Sequence, residues 1–272
     1  RRRRMAAGKR TLTTNTPCNA VQLSVVAPVY NEAQVVAELI RRIDAACRST
    51  ELRYEILIAD DCSTDNTALL IEGLVNSGEM PALVHARLPE NRGQWGATAW
   101  GMRHAQGDII VTIDGDLQDP PEVIPALIDQ LTSHPHANVA FACKTSRDDP
   151  AWFIAGMSVF RAIQDTLSPV ALPAGAGAYC AMRRTLAHQA AAVPRKMVNL
   201  APVLCSLGAE AVAVPYEKLA RYDNESRVGP LGLVQEAIGS LAVTGALKRL
   251  IWLSVAALIA AALVSAVLMR TA

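Results

Sequence analysis

Directly after the apolar run Ile109-Ile110-Val111 the chain carries Asp114-Gly115-Asp116-Leu117-Gln118-Asp119-Pro120-Pro121-Glu122, so an apolar strand runs almost straight into a cluster of acids. A strand that ends in two carboxylates one residue apart sends both out of the same end of a sheet. There they can hold a divalent cation against a diphosphate. Asp-Gly is also a common turn, and an acidic cluster after a strand can be no more than a solvated loop. Taken by itself the cluster supports both readings, and the rest of the chain has to choose between them.

The pattern upstream constrains the architecture. Residues 23–28 form a short β-branched run and 33–47 carry helical periodicity; 54–59 read as a strand and 67–76 as a helix. Residues 82–87 are a third strand, 96–105 a helix, and 108–113 the strand that leads into the acids. This alternation predicts an α/β fold, a parallel sheet with helices on both faces. Ligands of such sheets sit at the carboxyl ends of the strands. The three ends here are Pro28-Val29-Tyr30-Asn31-Glu32, Asp60-Asp61-Cys62-Ser63-Thr64-Asp65 and Asp114-Gly115-Asp116, all polar and all directed to one edge. A dinucleotide-binding site would need a glycine-rich turn after the first strand, and residues 28–32 contain no glycine. Beyond residue 125 the pattern is less regular. A strand is expected at 139–143, a helix at 151–165, a loop at Gly175-Ala176-Gly177-Ala178-Tyr179 entering another strand, a helix at 202–207, an extended segment at 211–215 and a polar loop at 221–229.

Composition excludes some classes of function. A formal net charge of +1 argues against a nucleic-acid binder. The six cysteines are scattered without a CxxC pair or histidines at zinc spacing, so they read as reduced, mostly buried thiols. Hydrophobicity is uneven along the chain. Residues 250–269 are apolar except for Ser254 and Ser265, a length that suits a membrane-spanning helix, and Lys248 and Arg249 before it against Arg270 after it favour a cytoplasmic N-terminal domain. Arg1 to Arg4 are followed by a polar stretch and not by an apolar core, so no cleavable signal is expected. The expected organisation is a basic N-terminus over 1–20, a globular domain over 21–229, an interfacial amphipathic helix over 230–248 and a transmembrane helix over 249–270. The chain is thus expected to be a single-pass membrane protein with its globular domain in the cytoplasm.

The stretches VVAPVYNE, ADDCSTDNT, LPENRGQWGA, GDIIVTIDGDLQDPPE and RYDNESR, in this order, resemble the family 2 glycosyltransferases, in particular the polyprenyl-phosphate sugar transferases such as the dolichol-phosphate mannose synthases. The resemblance implies a GT-A fold with a mixed sheet. It implies that Pro28, Tyr30, Glu32 and Asp61 line a nucleotide-sugar pocket, that Asp114, Asp116 and Gln118 hold Mg2+ or Mn2+ and the diphosphate, and that Arg221 reaches back to the phosphates. Carboxylates and an amide oxygen are hard ligands suited to these cations. Asn91, Gln94 and Trp95 suit structural and functional roles equally.

The departures from the family pattern lie in two places. In the loop 221–227, Asn224 stands where glycine is usual and Arg227 where lysine is usual. On the acceptor side, Gly177-Ala178-Tyr179 replaces the usual Gly-Asp-Phe, and Ala155 stands where relatives carry arginine. Lys144 and Ser158 keep the positions of acceptor contacts, and acceptor phosphate recognition is expected from Lys144, Arg147, Ser158 and Arg161. A lipid monophosphate is largely deprotonated near neutral pH, with a second pKa of about 6, so it needs no general base; a hydroxyl acceptor does.

These features lead to one main expectation, an inverting, metal-dependent transfer of a hexose from UDP-glucose or GDP-mannose to a polyprenyl phosphate at the cytoplasmic membrane face. Two alternatives stand beside it: a catalytically silent membrane scaffold of the same fold, and a transferase with a glycan or protein hydroxyl as acceptor. Self-association or a small membrane partner is compatible with each.

Overall fold

The computed structural model describes residues 20–145, 173–193 and 199–219, with isolated positions at 166 and between 239 and 254. Strand β1 (Leu23–Val29) is buried along its whole length, with Leu23, Val25, Ala27 and Val29 in one apolar cluster and Val26 in another. A strand apolar on both faces has to be covered from both sides. Helix α1 (Val36–Arg48) does this on the first face by presenting Val36, Leu39, Ile40, Ile43 and Cys47 at helical spacing. Strand β2 (Tyr54–Asp60), helix α2 (Thr67–Ser77), strand β3 (Leu83–Arg87), helix α3 (Gly93–His104) and strand β4 (Ile109–Thr112) follow in the expected alternation. Helix α3 covers the second face. Its Gly101 lets it sit close on β1, because a Cβ there would lie 2.3 Å from Val26 Cγ1.

After the acids, a single 3-10 turn (Pro121–Val123) runs into helix α4 (Ile124–Ser133), which the sequence reading did not assign. Pro121 and Pro125 look like breakers in the sequence, yet both occupy first-turn positions, where a missing N–H costs no hydrogen bond. Ile124, Leu127, Ile128 and Leu131 then pack on the same face as α1 and α2. Strand β5 (Val139–Lys144), strand β6 (Ala176–Arg183), helix α5 (Arg184–Ala191, also unassigned from sequence), helix α6 (Leu200–Ser206) and strand β7 (Ala211–Tyr216) complete the described part. The loop expected at 175–179 is shorter than expected, since β6 begins at Ala176 after a turn at Gly175. The helix expected at 151–165 lies outside the described residues. So do the interfacial helix and the apolar segment at 249–270, apart from isolated positions. Among the described residues, no helix is long and apolar enough to cross a membrane.

The described strands form one sheet in the order β3-β2-β1-β4-β6-β5-β7. The first four run parallel, β6 is antiparallel to both β4 and β5, and β7 returns parallel to β5. The sheet is therefore mixed, which the strand and helix alternation of the first half does not encode. Among the described residues, Cys47, Cys143, Cys180 and Cys205 are buried free thiols and Cys62 is partly exposed.

At the amino end of β1, remote from the acids, three chain segments meet at one buried network. Ser24 Oγ donates to Glu55 Oε1 at 2.6 Å and accepts from Gly107 N at 2.8 Å, while Gln106 N donates to the same carboxylate oxygen at 2.7 Å. Ser24→Ala leaves the Gly107 amide and the Glu55 carboxylate short of partners in a dry site. We expect a loss of about 1–3 kcal/mol in folding free energy with the sheet otherwise unchanged, read from denaturant melts. A midpoint equal to wild type would mean that water replaces the hydroxyl.

Candidate functional site

The carboxyl ends of β1, β2 and β4 lie side by side because the strands are paired in register, Val29 opposite Asp60 and Val26 opposite Thr112. At each end the chain turns through a left-handed residue, Asn31 (φ 55°), Cys62 (φ 63°) and Leu117 (φ 58°). Non-glycine residues seldom adopt this conformation, and where they do the surroundings must hold them there. For Asn31 the holding groups are clear. Its N–H donates to Ser63 Oγ at 3.0 Å, and its Oδ1 accepts from Thr64 N at 2.8 Å. The next amide, Glu32 N, donates to Thr67 Oγ1 at 2.8 Å. The β1 and β2 ends thus form one hydrogen-bonded rim.

Pro28 is buried within β1, Tyr30 is exposed at the rim, and Glu32 is buried beside it. Asp61 is also buried and accepts from Arg92 N at 2.7 Å, which ties the β2 end to the start of α3. Burial raises the Asp61 carboxyl above its ordinary range against the pull of the Arg92 and Gly93 amides.

The acid turn sits between these ends and β6. Gly115 is required there, since a Cβ would lie 2.4 Å from Pro28 O. Asp114 and Asp116 are both half-buried. Gln94 Nε2, from the first turn of α3, donates to Asp114 Oδ1 at 2.7 Å, and Gln118 N donates to Asp116 Oδ1 at 3.2 Å. Burial, together with the charges of Asp119 and Asp116, pushes Asp114 up to about 7, while Lys144 and Lys218 pull it down. Gln118 is buried, and its carbonyl accepts from Leu219 N at 2.9 Å. That bond brings the chain beyond β7 onto the acid turn two residues before Arg221.

Asp119 and Tyr216 were not singled out from the sequence. Asp119 is buried and accepts a hydrogen bond from the Tyr216 hydroxyl, and Tyr179, stacked edge-on to Tyr216 at 5.8 Å, donates to Pro120 O at 2.9 Å. Both tyrosines therefore buttress the acid turn. Ala178 contributes its carbonyl, which accepts from the Thr112 hydroxyl at the end of β4. Lys144 ends β5 and is half-buried, feeling the charges of Asp119 and Asp114 and that of Lys218, which is also unassigned from sequence and follows β7 by two residues. Arg147, Ser158, Arg161 and Arg221 lie outside the described residues, as do Ala155 and Asn224. The sequence signal for Asp119 was its place inside the acid run itself. Tyr216 and Lys218 had none, because only the β5 and β7 pairing brings them here.

Among the described residues no three His, Cys, Asp or Glu side chains converge as a ready-made metal cage. Two half-exposed carboxylates with hard oxygen donors nevertheless fit Mg2+ or Mn2+, which bind through one or two carboxylates and keep their other positions for phosphate oxygens and water. Burial first, and then the charges of Asp119 and Asp116, raise Asp114, and a bound cation would offset both.

The sequence comparisons agree with this geometry. Residues 24–189 match the family model described as glycosyl transferase family 2. The chain is 31% identical over 213 residues to the undecaprenyl-phosphate 4-deoxy-4-formamido-L-arabinose transferase of Pseudomonas savastanoi pv. phaseolicola, covering 78% of this chain and 62% of that protein. It thus spans less than two thirds of that curated relative.

Among solved structures, the chain resembles a mannosyltransferase from Pyrobaculum calidifontis crystallised with GDP-Man and Mn2+ (TM-score 0.61, 22% identity, 83% of this chain and 64% of that one). It also resembles the glucosyl-3-phosphoglycerate synthase of Mycobacterium tuberculosis (TM-score 0.58, 19% identity, 83% and 79%). These likenesses establish the GT-A fold, with its mixed sheet. With a family model matching more than half its length and the acid turn at the end of β4, the chain belongs to glycosyl transferase family 2.

Proposed function

We propose that this protein transfers a sugar, of the hexose class, from a nucleoside diphosphate to a polyprenyl phosphate at a membrane surface, with inversion and with the help of a divalent cation. The observation that carries this reading is the pair Asp114 and Asp116, half-buried at the end of β4, beside the β1 and β2 rim on one side and Lys144 on the other. An undecaprenyl-phosphate transferase as a relative at 31% identity supports the lipid acceptor, and structural neighbours crystallised with Mn2+ and GDP-Man or UDP support the donor class and the metal.

In this reading Pro28, Tyr30, Glu32 and Asp61 receive the nucleoside, Asp114, Asp116 and Gln118 hold the cation, and Arg221 reaches the diphosphate. The cation supplies Lewis-acid stabilisation of the departing diphosphate. Lys144, with Arg147, Ser158 and Arg161, orients the acceptor phosphate, whose oxygen attacks the anomeric carbon as the bond to the nucleoside diphosphate breaks. The lipid phosphate arrives deprotonated, so the chain needs no general base, which suits Ala178 in the position where relatives carry an acid. Positioning and charge stabilisation supply the rate. Residues 249–270, with 230–248 lying in the interface, anchor the domain beside its lipid, the active face towards the cytoplasm.

The test is transfer of labelled sugar into an organic-extractable lipid by membranes containing the full chain, with added polyprenyl phosphate. UDP-glucose and GDP-mannose serve as hexose donors and a nucleotide-linked 4-deoxy-4-formamido-L-arabinose as the pentose comparison, with and without Mn2+. Metal-dependent label in the lipid from a hexose donor is the expected result and names that donor; label from the arabinose donor alone would replace the hexose with a pentose. Label in an aqueous product instead would replace the lipid with a hydroxyl acceptor, and nucleotide binding without transfer to any acceptor would support the silent scaffold.

A further inference from the structure

We propose that Arg87 and Asp60 are positioning residues for the rim at the ends of β1 and β2: they hold Ser63, and through it Asn31, so that the rim is already formed when its ligand arrives. That this ligand is a nucleoside diphosphate rests on the transferase reading above; the brace itself does not.

The brace starts from a buried charge. Asp60 ends β2 without exposed surface and stands opposite Arg87, the last residue of the edge strand β3, while Ile58 stands opposite His85. Side chains two residues apart on a strand share a face, so Asp60, His85 and Arg87 meet on one side of the sheet. Asp60 Oδ2 lies 3.7 Å from Arg87 Nε and 3.9 Å from His85 Nε2, and neither Oδ2 nor His85 Nε2 has a hydrogen-bond partner among the described residues. Burial pushes the Asp60 carboxyl up, but His85 and Ser63 draw it below its ordinary range, so it stays charged. A buried charged set of this kind adds little stability that apolar side chains of the same size would not supply. What it does fix is the position of Ser63.

Asp60 Oδ1 accepts from Ser63 N at 2.8 Å, and Arg87 Nη2 donates to Ser63 O at 2.8 Å. The peptide groups on both sides of Ser63 are thus held. Between Asp60 and Ser63 the chain passes through Cys62 in the left-handed conformation, which a residue with a Cβ keeps only when its surroundings impose it. Ser63 then carries the constraint across to β1. Its Oγ accepts from Asn31 N at 3.0 Å, and Asn31, itself left-handed, accepts from Thr64 N at 2.8 Å. Tyr30 and Glu32 flank Asn31, and Asp61 follows Asp60, so three residues of the proposed nucleotide pocket lie on the chain that this linkage shapes.

The experiment uses the full chain and the variants Arg87→Met, Arg87→Lys, Ser63→Ala and the double variant of Arg87→Met with Ser63→Ala. The Arg87 side chain is half-exposed, so its loss empties no part of the core. UDP and GDP are titrated calorimetrically in the presence of Mn2+, and hydrogen exchange is followed at residues 29–32 and 61–65. If Arg87→Met leaves the rim formed in about one molecule in ten, nucleotide affinity falls about tenfold. Arg87→Lys keeps the charge and should recover part of that loss. Exchange should rise in the two rim segments while the strands keep their protection. Because both single changes break the same path to Asn31, the double variant should bind within about twofold of the weaker single variant. In transfer assays the donor KM should rise with kcat unchanged, the pattern of lost binding that is common to ground and transition states.

A lowered melting point with unchanged nucleotide affinity and unchanged rim exchange would make Arg87 a structural residue only and overturn the proposal. Additive losses in the double variant would overturn the path through Ser63. Should Arg87→Met fail to fold, Ser63→Ala decides, and unchanged affinity and exchange there overturn the brace. A wild-type chain that binds UDP or GDP but transfers no sugar would sink the transferase reading and leave the brace standing. One that binds neither would sink the nucleotide reading, and rim exchange in Arg87→Met then decides the brace by itself.

Discussion

Replacing Asp116 with alanine is expected to reduce sugar transfer by about a thousandfold or more while leaving the protein folded. Asp116 is half-exposed at the tip of the acid turn, and its hydrogen bond from Gln118 N contributes only about 1 kcal/mol to stability. Its proposed chemical role is much larger. Without it the cation loses one of two carboxylates, and the departing diphosphate loses the charge that stabilises it. Label in the lipid extract, measured against added Mn2+, is the readout. Transfer within tenfold of wild type would remove Asp116 from the chemistry. Transfer that recovers at high Mn2+ would place its role in cation affinity alone. Asp114→Asn offers a comparison, since it keeps an oxygen near Gln94 and removes the charge.

Gly115→Ala should be nearly as damaging by a different route. The added methyl group would lie 2.4 Å from Pro28 O, a main-chain atom of the central strand that cannot rotate away. The acid turn has to lift, and displacement of about 1 Å at a reacting centre can cost about a hundredfold in rate. We also expect a stability loss of about 1–3 kcal/mol from overpacking. Gly73→Ala, in helix α2, is the control, because a Cβ there meets nothing within 4 Å, and it should turn over like wild type and melt no lower. Full activity in Gly115→Ala would show that the turn can shift without disturbing the site. Equal damage in both variants would point to a general intolerance of added methyl groups.

How far the site was legible in the sequence follows from how local each part of it is. The strands β1 to β4 announce themselves by apolar runs and the helices between them by periodicity, so the rim made by residues 28–32, 60–65 and 114–116 could be read directly. Helix α4 was hidden by Pro121 and Pro125, which look like breakers until the chain direction shows them in a first turn. Helix α5 was hidden by its brevity, with four buried positions in eight residues. Ala178 and Tyr179 drew attention as departures from a family pattern, whereas their visible work is structural, a carbonyl for Thr112 and a hydroxyl for Pro120.

The sequence by itself determined the α/β architecture, the edge of the sheet where the polar strand ends converge and the two acids at its centre. Each of these follows from periodicity and from what immediately follows a strand, and those are short-range properties of a chain. Only the tertiary structure decided what surrounds the acids. Strand β6 runs against β4, β5 lies beyond it, and β7 pairs with β5, so Lys144, Tyr216 and Lys218 arrive at the acid turn from positions up to about a hundred residues away. Strand order and direction are set by which apolar faces can be buried together, an energy summed over the whole core, and no local stretch of sequence carries that sum.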